Sequence, residues 1–557
     1  MPSDSRNKLL LVAVAAAVFL SAFFKIADLD FWWHLKTGQI LWQQKAFPYT
    51  EIYSFTANGR VYIDHEWLFQ VIAYFFFSLA GPAGVILLKC AVLMLTYLLI
   101  ARSLLQKGAS PGTTFAVILL SVCGARIRFI ERPEVFSVLY LVLIYLALDY
   151  SLRGEKRKII FVVPALIVLW VNTHAAVILG LLLQFTFLAG LLAERSFPKL
   201  GLMAHYKPTT ANLFVLAGVL ILSILATGIN PYGFRVLKVP FELTSIIDSG
   251  LLHNQEWQRP GLANAPFFFL CLGFGFVTML VNIRRFHSVN LVFGFFLAFI
   301  SLRYIRNVGL FCMFMPLLVS PFAESLSRRR TAGRVTVVVL SLLLAATIRS
   351  SPYEWGIGEA SYFPKQVVAF TKSQDLQGNM INSYGFGGYL IWNLYPERKI
   401  FIDGRNEVFL PLLKELISMR NDNIHWNQLL ERYQIEYALL NYVDDLETVT
   451  RIDSSGHSSV AQASFTSTHF PKSRWALIYW DDDGMVFIRR NGINQRLLNM
   501  EYASSYPEGR GYQEMLARSG RLDVKQSIRE LERKLAEEPG CLRAGALLQT
   551  MKEIEAR

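Results

Sequence analysis

The feature that most constrains this chain is a series of long apolar runs that ends near residue 348. About 20 apolar residues carry a helix across the hydrocarbon core of a bilayer. Runs of that kind centre on 9–26, 84–104, 112–125, 134–151, 159–173, 175–193, 212–229, 265–283, 288–302, 308–323 and 333–349. A shorter twelfth stretch, Trp67 to Ala80, follows the charged Asp64-His65-Glu66. Only 17% of the residues are charged and 53% are apolar, whereas soluble domains carry about 25% charged residues. The pattern predicts an α-helical polytopic membrane domain over 1–349 with about 11 transmembrane helices. An α/β domain follows over 350–509, then a helical tail over 510–557.

Orientation follows from the basic clusters. If Trp67–Ala80 lies at the interface, eleven spans remain, and a cytoplasmic N-terminus puts the C-terminal domain outside. Gln106-Lys107, Arg153–Lys158, 194–207, 284–285 and 328–334 then all face inward, as the positive-inside rule requires. Twelve crossings would turn two of the strongest clusters outward. The formal charge of +13 thus belongs to lipid headgroups and does not indicate nucleic acid. Arg6 and Lys8 before the first apolar run could open a signal peptide, but no small-residue cleavage site follows, so the run reads as an uncleaved first helix. Four of the five cysteines sit in apolar segments and only Cys541 lies in the soluble part, which excludes an internal disulfide there.

With that orientation the outer face collects most of the polar residues able to do chemistry. Asp28 and Asp30 stand at the end of the first helix, before Trp32, Trp33 and His34. Carboxylates are costly there unless paired, hydrated or bound to metal. They could ligate a divalent cation such as Mg²⁺ or Mn²⁺, supply a general base, or only cap a helix beside aromatic anchors. Asp64, His65 and Glu66 form a second polar group in the same loop, readable as a helix cap or as part of a metal or substrate site. Arg126, Arg128 and Arg132 in one loop and Arg303 and Arg306 in another run against the positive-inside trend. Arginine forks bind phosphate oxygens in pairs, which points to the phosphate of a lipid-linked substrate. Asn172-Thr173-His174 and His253–Trp257, with Glu256, add polar groups to the same face.

The acidic motif Asp28-Leu29-Asp30, followed by aromatics and His34, resembles the C-type glycosyltransferase (GT-C) superfamily, which includes oligosaccharyltransferase and protein O-mannosyltransferase catalytic subunits. More closely, Asp30–Leu41, Ile63–Trp67, Asn230–Gly233, Arg306–Phe311, Gly387–Trp392 and Phe401–Arg405 resemble strings of uncharacterised bacterial membrane proteins of that superfamily. The resemblance reaches to about residue 410. It implies a multi-pass protein of the bacterial inner membrane that transfers a sugar, with inversion, from a polyprenyl-phosphate donor to a glycan, lipid or protein acceptor outside. It further implies that Asp28 or Asp30 is the base or a metal-binding carboxylate, and that the arginines hold the donor phosphate. Two family strings are missing: the acceptor motif of oligosaccharyltransferases and the Pro-Pro-Leu string of mannosyltransferases.

In the soluble part Met380–Asn382, Tyr389–Ile391, Lys399–Ile402, Tyr437–Leu440 and Met485–Ile488 read as strands. Val367–Thr371, Val408–Met419 and Ile424–Tyr433 read as helices. The glycines of Tyr384–Tyr389 lack the spacing of a phosphate-binding fingerprint. Asp403 and Arg405 either pair with each other or reach toward the membrane. The tail resembles a few tetratricopeptide-like helix pairs. Two other functions are open to such a chain: a transporter or flippase of lipid-linked glycans, and a non-catalytic assembly factor. A transporter would place charge near the bilayer midplane in matched halves, which the sequence does not do.

Overall fold

The computed structural model describes residues 2–198, 206, 209–248, 255–282, 288–327, 330–419, 422–452, 458–509 and 511–557. The basic pair 284–285, parts of the clusters at 194–207 and 328–334, and His253 and Asn254 lie outside the described residues. The chain divides into two compact units. The first comprises Met1–Asp28, Thr37–Ala46 and Ile63–Ala360. The second comprises Leu29–Lys36, Phe47–Tyr62 and Ser361–Arg557.

The first unit is helical. Each apolar stretch named above carries helix, including Trp67–Ala80. Among the described residues, five helices are long and apolar enough to cross a membrane: Ser5–Ala22, Pro82–Gln106, Glu134–Leu152, Ala175–Ser196 and Ile305–Ser327. Trp67–Ala80, Thr210–Ala226, Pro266–Val281, Ser288–Arg303 and Thr336–Arg349 are apolar but shorter. The stretch 159–173 is divided, with a 3₁₀ segment Arg157–Val162 leading into the α-helix Val163–Val171. Pro164 near the start of that helix has no N–H to lose there, so it suits a beginning and not an interior.

Two local devices shape the end of this unit that carries Asp28. After the first helix the chain runs extended, and Ile26 N donates to Gly358 O at 2.9 Å while Ala360 N donates to Ile26 O at 2.9 Å. Lys25 pairs with Glu354 at 2.6 Å, and Phe24 stacks on Tyr353. Gly38 lies against the backbone of Gln70, so close that a Cβ there would sit 2.1 Å from Gln70 O. Any side chain at 38 would push the helix Trp67–Ala80 away.

The second unit holds a four-stranded sheet in the spatial order Asn379–Asn382, Ile435–Leu440, Met485–Arg489, Trp475–Trp480. The first pair is parallel and the other two are antiparallel. A separate hairpin joins Glu447–Ile452 to Ser458–Ala463. Helices Lys365–Ser373, Asn406–Ser418 and Asn423–Arg432 fall where the 3.6-residue pattern placed them. Tyr389–Ile391 does not form a strand. It belongs to a buried helix, Gly387–Leu394. A short apolar run buried on every side carries no periodicity that tells strand from helix. Ile400, Phe401 and Ile402 are buried but stay outside the sheet, with an isolated bridge between Ser54 and Ile400. Instead the Asn382 side chain serves this segment, accepting from Phe401 N at 2.8 Å and donating to Ile402 O at 2.8 Å. The tail forms helices Tyr512–Arg518, Val524–Glu537 and Leu542–Glu555, the last two packed together.

Candidate active site

The arginine-bearing loop after the helix Pro111–Ala125 coils into a 3₁₀ turn, Arg126–Arg128, and the next helix opens at Glu134. Between them Glu131 points inward. It accepts from Lys89 Nζ at 2.6 Å and from the backbone N–H of Ala27 at 3.1 Å. Both side chains of the Lys89–Glu131 pair are almost fully enclosed, and Lys89 also lies over the Phe24 ring at 3.4 Å. Breaking such a pair leaves an uncompensated buried charge. Its role is to hold Ala27, and so the next residue, Asp28, beside the arginine loop.

Asp28 Oδ1 accepts from Arg132 Nη2 at 2.8 Å. Arg132 Nη1 donates to Glu256 Oε2 at 2.9 Å, and Arg128 Nη1 donates to Glu256 Oε1 at 2.9 Å. Arg128 Nη2 donates to Glu134 Oε2 at 2.6 Å. Arg306 Nη2 donates to Glu134 Oε1 at 2.7 Å, and its guanidinium lies 4.3 Å from the centre of the Trp257 ring. Three arginines and three carboxylates thus alternate in one chain of bonds, and their formal charges cancel. Within it, Asp28 Oδ2 is buried with no hydrogen-bond partner among the described residues. Burial raises the Asp28 carboxyl above the ordinary carboxylate range, against the opposing pull of Arg132, and Glu256 and Glu131 add to the rise. Glu256 is driven the other way. Burial would raise it, but Arg132, Arg128 and Arg306 hold it down at about 2.

The second polar group lies in the same unit. Asp64 Oδ1 accepts from Gln70 Nε2 at 2.8 Å and from Glu66 N at 3.3 Å, which ties the loop to the first turns of the helix Trp67–Ala80. Glu66 Oε1 stands 3.5 Å from His65 Nε2 and 3.7 Å from His174 Nε2. His174 Nδ1 and Ser137 Oγ share a hydrogen bond at 2.8 Å, and Trp170 Nε1 donates to the same oxygen at 2.8 Å. Burial lowers His174 to about 4, so the imidazole is neutral at physiological pH. Asn172 Oδ1 receives the Trp67 indole N–H at 2.8 Å.

Burial lifts Asp64 to about 7, with Glu66 adding to the rise and His65 opposing it. An unfolded aspartate titrates near 4, so between about pH 4 and pH 7 the folded chain binds one proton more than the unfolded chain. Stability therefore falls as pH rises through that window, by roughly 4 kcal/mol in all. Asp64→Asn retains the oxygen that accepts from Gln70 and Glu66 N and removes the buried charge. Thermal melts from pH 4 to pH 8 should show a flatter profile and a higher midpoint near neutrality than wild type. A variant melting parallel to wild type across that range would refute this account of Asp64.

The remaining candidates are placed as follows. Arg126 donates to Thr347 O at 3.1 Å, and burial lowers it. Arg303 pairs with Asp248 at 2.6 Å in an exposed ion pair, separate from the alternating chain. Asp30 and His34 belong to the second unit. His34 is buried against the Trp33 ring, and the Asp30 carboxylate fills the space over Gly404, where a Cβ would meet its Oδ1 at 2.0 Å. Among the described residues no three His, Cys, Asp or Glu side chains gather as a metal-holding group. No step below runs through a metal.

Glu131, Glu134 and Lys89 were not singled out by the sequence. The usable signal was the alternation Arg128, Glu131, Arg132, Glu134, which points to mutual pairing where a plain phosphate cradle would be all basic.

The long apolar helices define a multi-pass membrane protein. No family model and no curated protein matches the chain. Among solved structures it is similar to ArnT from Cupriavidus metallidurans bound to undecaprenyl phosphate, with a TM-score of 0.46 and 12% identity over 86% of this chain and 97% of that one. It is similar also to ArnT from the same organism in the apo state, with a TM-score of 0.42 and 12% identity over 88% of this chain and 98% of that one.

Proposed function

We propose that the protein is a membrane glycosyltransferase that moves a sugar from a polyprenyl-phosphate donor to an acceptor hydroxyl on the extracytoplasmic side of a bacterial inner membrane. The observation that carries this reading is Asp28: one carboxylate oxygen is fixed by Arg132, and the other is buried without a partner among the described residues. A carboxylate tethered through one oxygen and raised by burial is suited to accept a proton at the other. In this reading Asp28 Oδ2 takes the acceptor's hydroxyl proton. The acceptor oxygen bonds to the anomeric carbon from the face opposite the phosphate, with inversion. The bond from that carbon to the phosphate oxygen breaks, and the polyprenyl phosphate leaves with the electron pair. Arg128, Arg132 and Arg306 stabilise the charge that develops on the phosphate. Asp30 packs against Gly404, and we assign it no proton transfer.

The same reading places the N-terminus in the cytoplasm and residues 350–557 outside, in keeping with the inward basic clusters. A panel of radiolabelled polyprenyl-phosphate sugars, incubated with purified protein and host membranes, tests it. The expected result is consumption of at least one donor with label appearing in a membrane or glycan fraction. Movement of intact labelled lipid between leaflets without cleavage of the sugar–phosphate bond would replace the reading with that of a flippase.

A further inference from the structure

We infer that Glu256 occupies the place of a ligand phosphate, and that it must leave the fork between Arg128 and Arg132 before a phosphate group can bind there. This rests on the glycosyltransferase reading for the identity of the ligand, and on geometry for the rest. The two oxygens of Glu256 accept from two different guanidinium groups, Oε1 from Arg128 Nη1 and Oε2 from Arg132 Nη1, each at 2.9 Å. Two non-bridging oxygens of a phosphate present the same paired acceptors to the same fork. The alternating chain is neutral with Glu256 in place, so it holds no surplus positive charge for a second anion. With Glu256 withdrawn, one net positive charge appears between Arg128 and Arg132, next to Asp28.

Among the three carboxylates Glu256 is the one suited to leave. Asp28 is pinned beside Ala27, whose N–H is bonded to Glu131. Glu134 is fixed in the first turn of the α-helix Glu134–Leu152. Glu256 sits on the single 3₁₀ turn Gln255–Trp257, outside any α-helix. Glu256 therefore neutralises the buried arginines while the site is empty, and competes with the ligand for them. It sets the threshold for phosphate binding.

The test measures binding, not turnover, so it stands apart from the assignment of the reaction. Dissociation constants for a polyprenyl phosphate in detergent and for inorganic phosphate are compared for wild type, Glu256→Gln and, as a control for loss of one surface charge, the exposed Glu242→Gln. Glu256→Gln should bind both anions on the order of ten-fold more tightly than wild type, the value of one charge-assisted hydrogen bond, while Glu242→Gln stays within about two-fold, as expected for a screened surface charge. In Glu256→Ala, added formate should refill the fork and weaken phosphate binding, whereas formate should leave wild type unchanged. That competition holds even if the Gln variant folds poorly. Equal or weaker binding in Glu256→Gln, with wild type still binding the lipid, would overturn the inference and leave the glycosyltransferase reading intact. Tightening for inorganic phosphate alone would overturn it for a lipid-linked phosphate. If no form binds either anion, the inference and the phosphate-binding part of that reading both fall.

Discussion

Asp28→Asn should reduce sugar transfer by about 10²–10⁴-fold, the contribution of a positioned general base, while the melting temperature stays close to that of wild type. The amide oxygen can still accept from Arg132 at the position of Oδ1, and Arg132 keeps its bond to Glu256, so little structure is lost. What disappears is the basic oxygen, Oδ2. The pH profile adds an independent readout. The base works only when ionised, and burial raises its pKa, so wild-type activity should fall on acidification at a pH above the ordinary aspartate value of about 4. Initial rates with saturating donor, measured from pH 4 to pH 9, would check both points. A variant that retains most of its activity would remove Asp28 from the chemistry, and an acid limb at or below pH 4 would contradict the role of burial.

The second large effect lies in the other unit and concerns stability. Arg405 is buried between Glu51, 2.5 Å from Nη1, and Asp403, which accepts from Nε at 2.9 Å and also from Nη2. Glu51 in turn receives the backbone N–H groups of Tyr53 and Ser54 at 2.7 Å each. The guanidinium is walled by the rings of Trp33, Tyr53, Tyr62 and Phe409. Burial disfavours its charge, but the two carboxylates more than compensate and hold the proton more firmly than in water. Arg405→Met strands two buried carboxylates, and removal of one partner from a buried pair costs about 3–5 kcal/mol. The second unit should then melt early or fail to fold. Arg405→Lys should be nearly as damaging, because an ammonium has neither the planar fork nor the stacking face. Limited proteolysis of the full chain would register this as rapid cutting within 361–557. Adding Glu51→Gln to Arg405→Met should recover part of the loss. Wild-type resistance in Arg405→Met would refute the account.

Much of the architecture was legible in the sequence because bilayer-length apolar runs leave few alternatives to helix. Each such run carries helix, and the amphipathic segments after residue 361 form helices at their expected places. Tyr389–Ile391 and Lys399–Ile402 were misread for one reason: both are short and buried, so neither shows a period. The choice was made by neighbours, a glycine pair at 387–388 in the first case and the Asn382 side chain in the second.

The candidate site was legible in its residue types but not in its pairing. Asp28 stood out as a carboxylate costly to place at a membrane helix end, Arg128, Arg132 and Arg306 as basic residues against the positive-inside trend, and Glu256 as a further polar group on the same face. That Glu256 would fork two arginines, or that Lys89 and Glu131 would hold Ala27, is set by contacts between segments 40 to 130 residues apart. Asp28 pairs with Arg132, and the Asp30 carboxylate lies over Gly404. By itself the sequence determined the solvent, the helices and the inventory of charge, since these depend on composition and short periods along the chain. Which carboxylate keeps an open oxygen was decided only by the tertiary structure, because a buried charge takes its properties from whichever opposite charge the fold brings beside it.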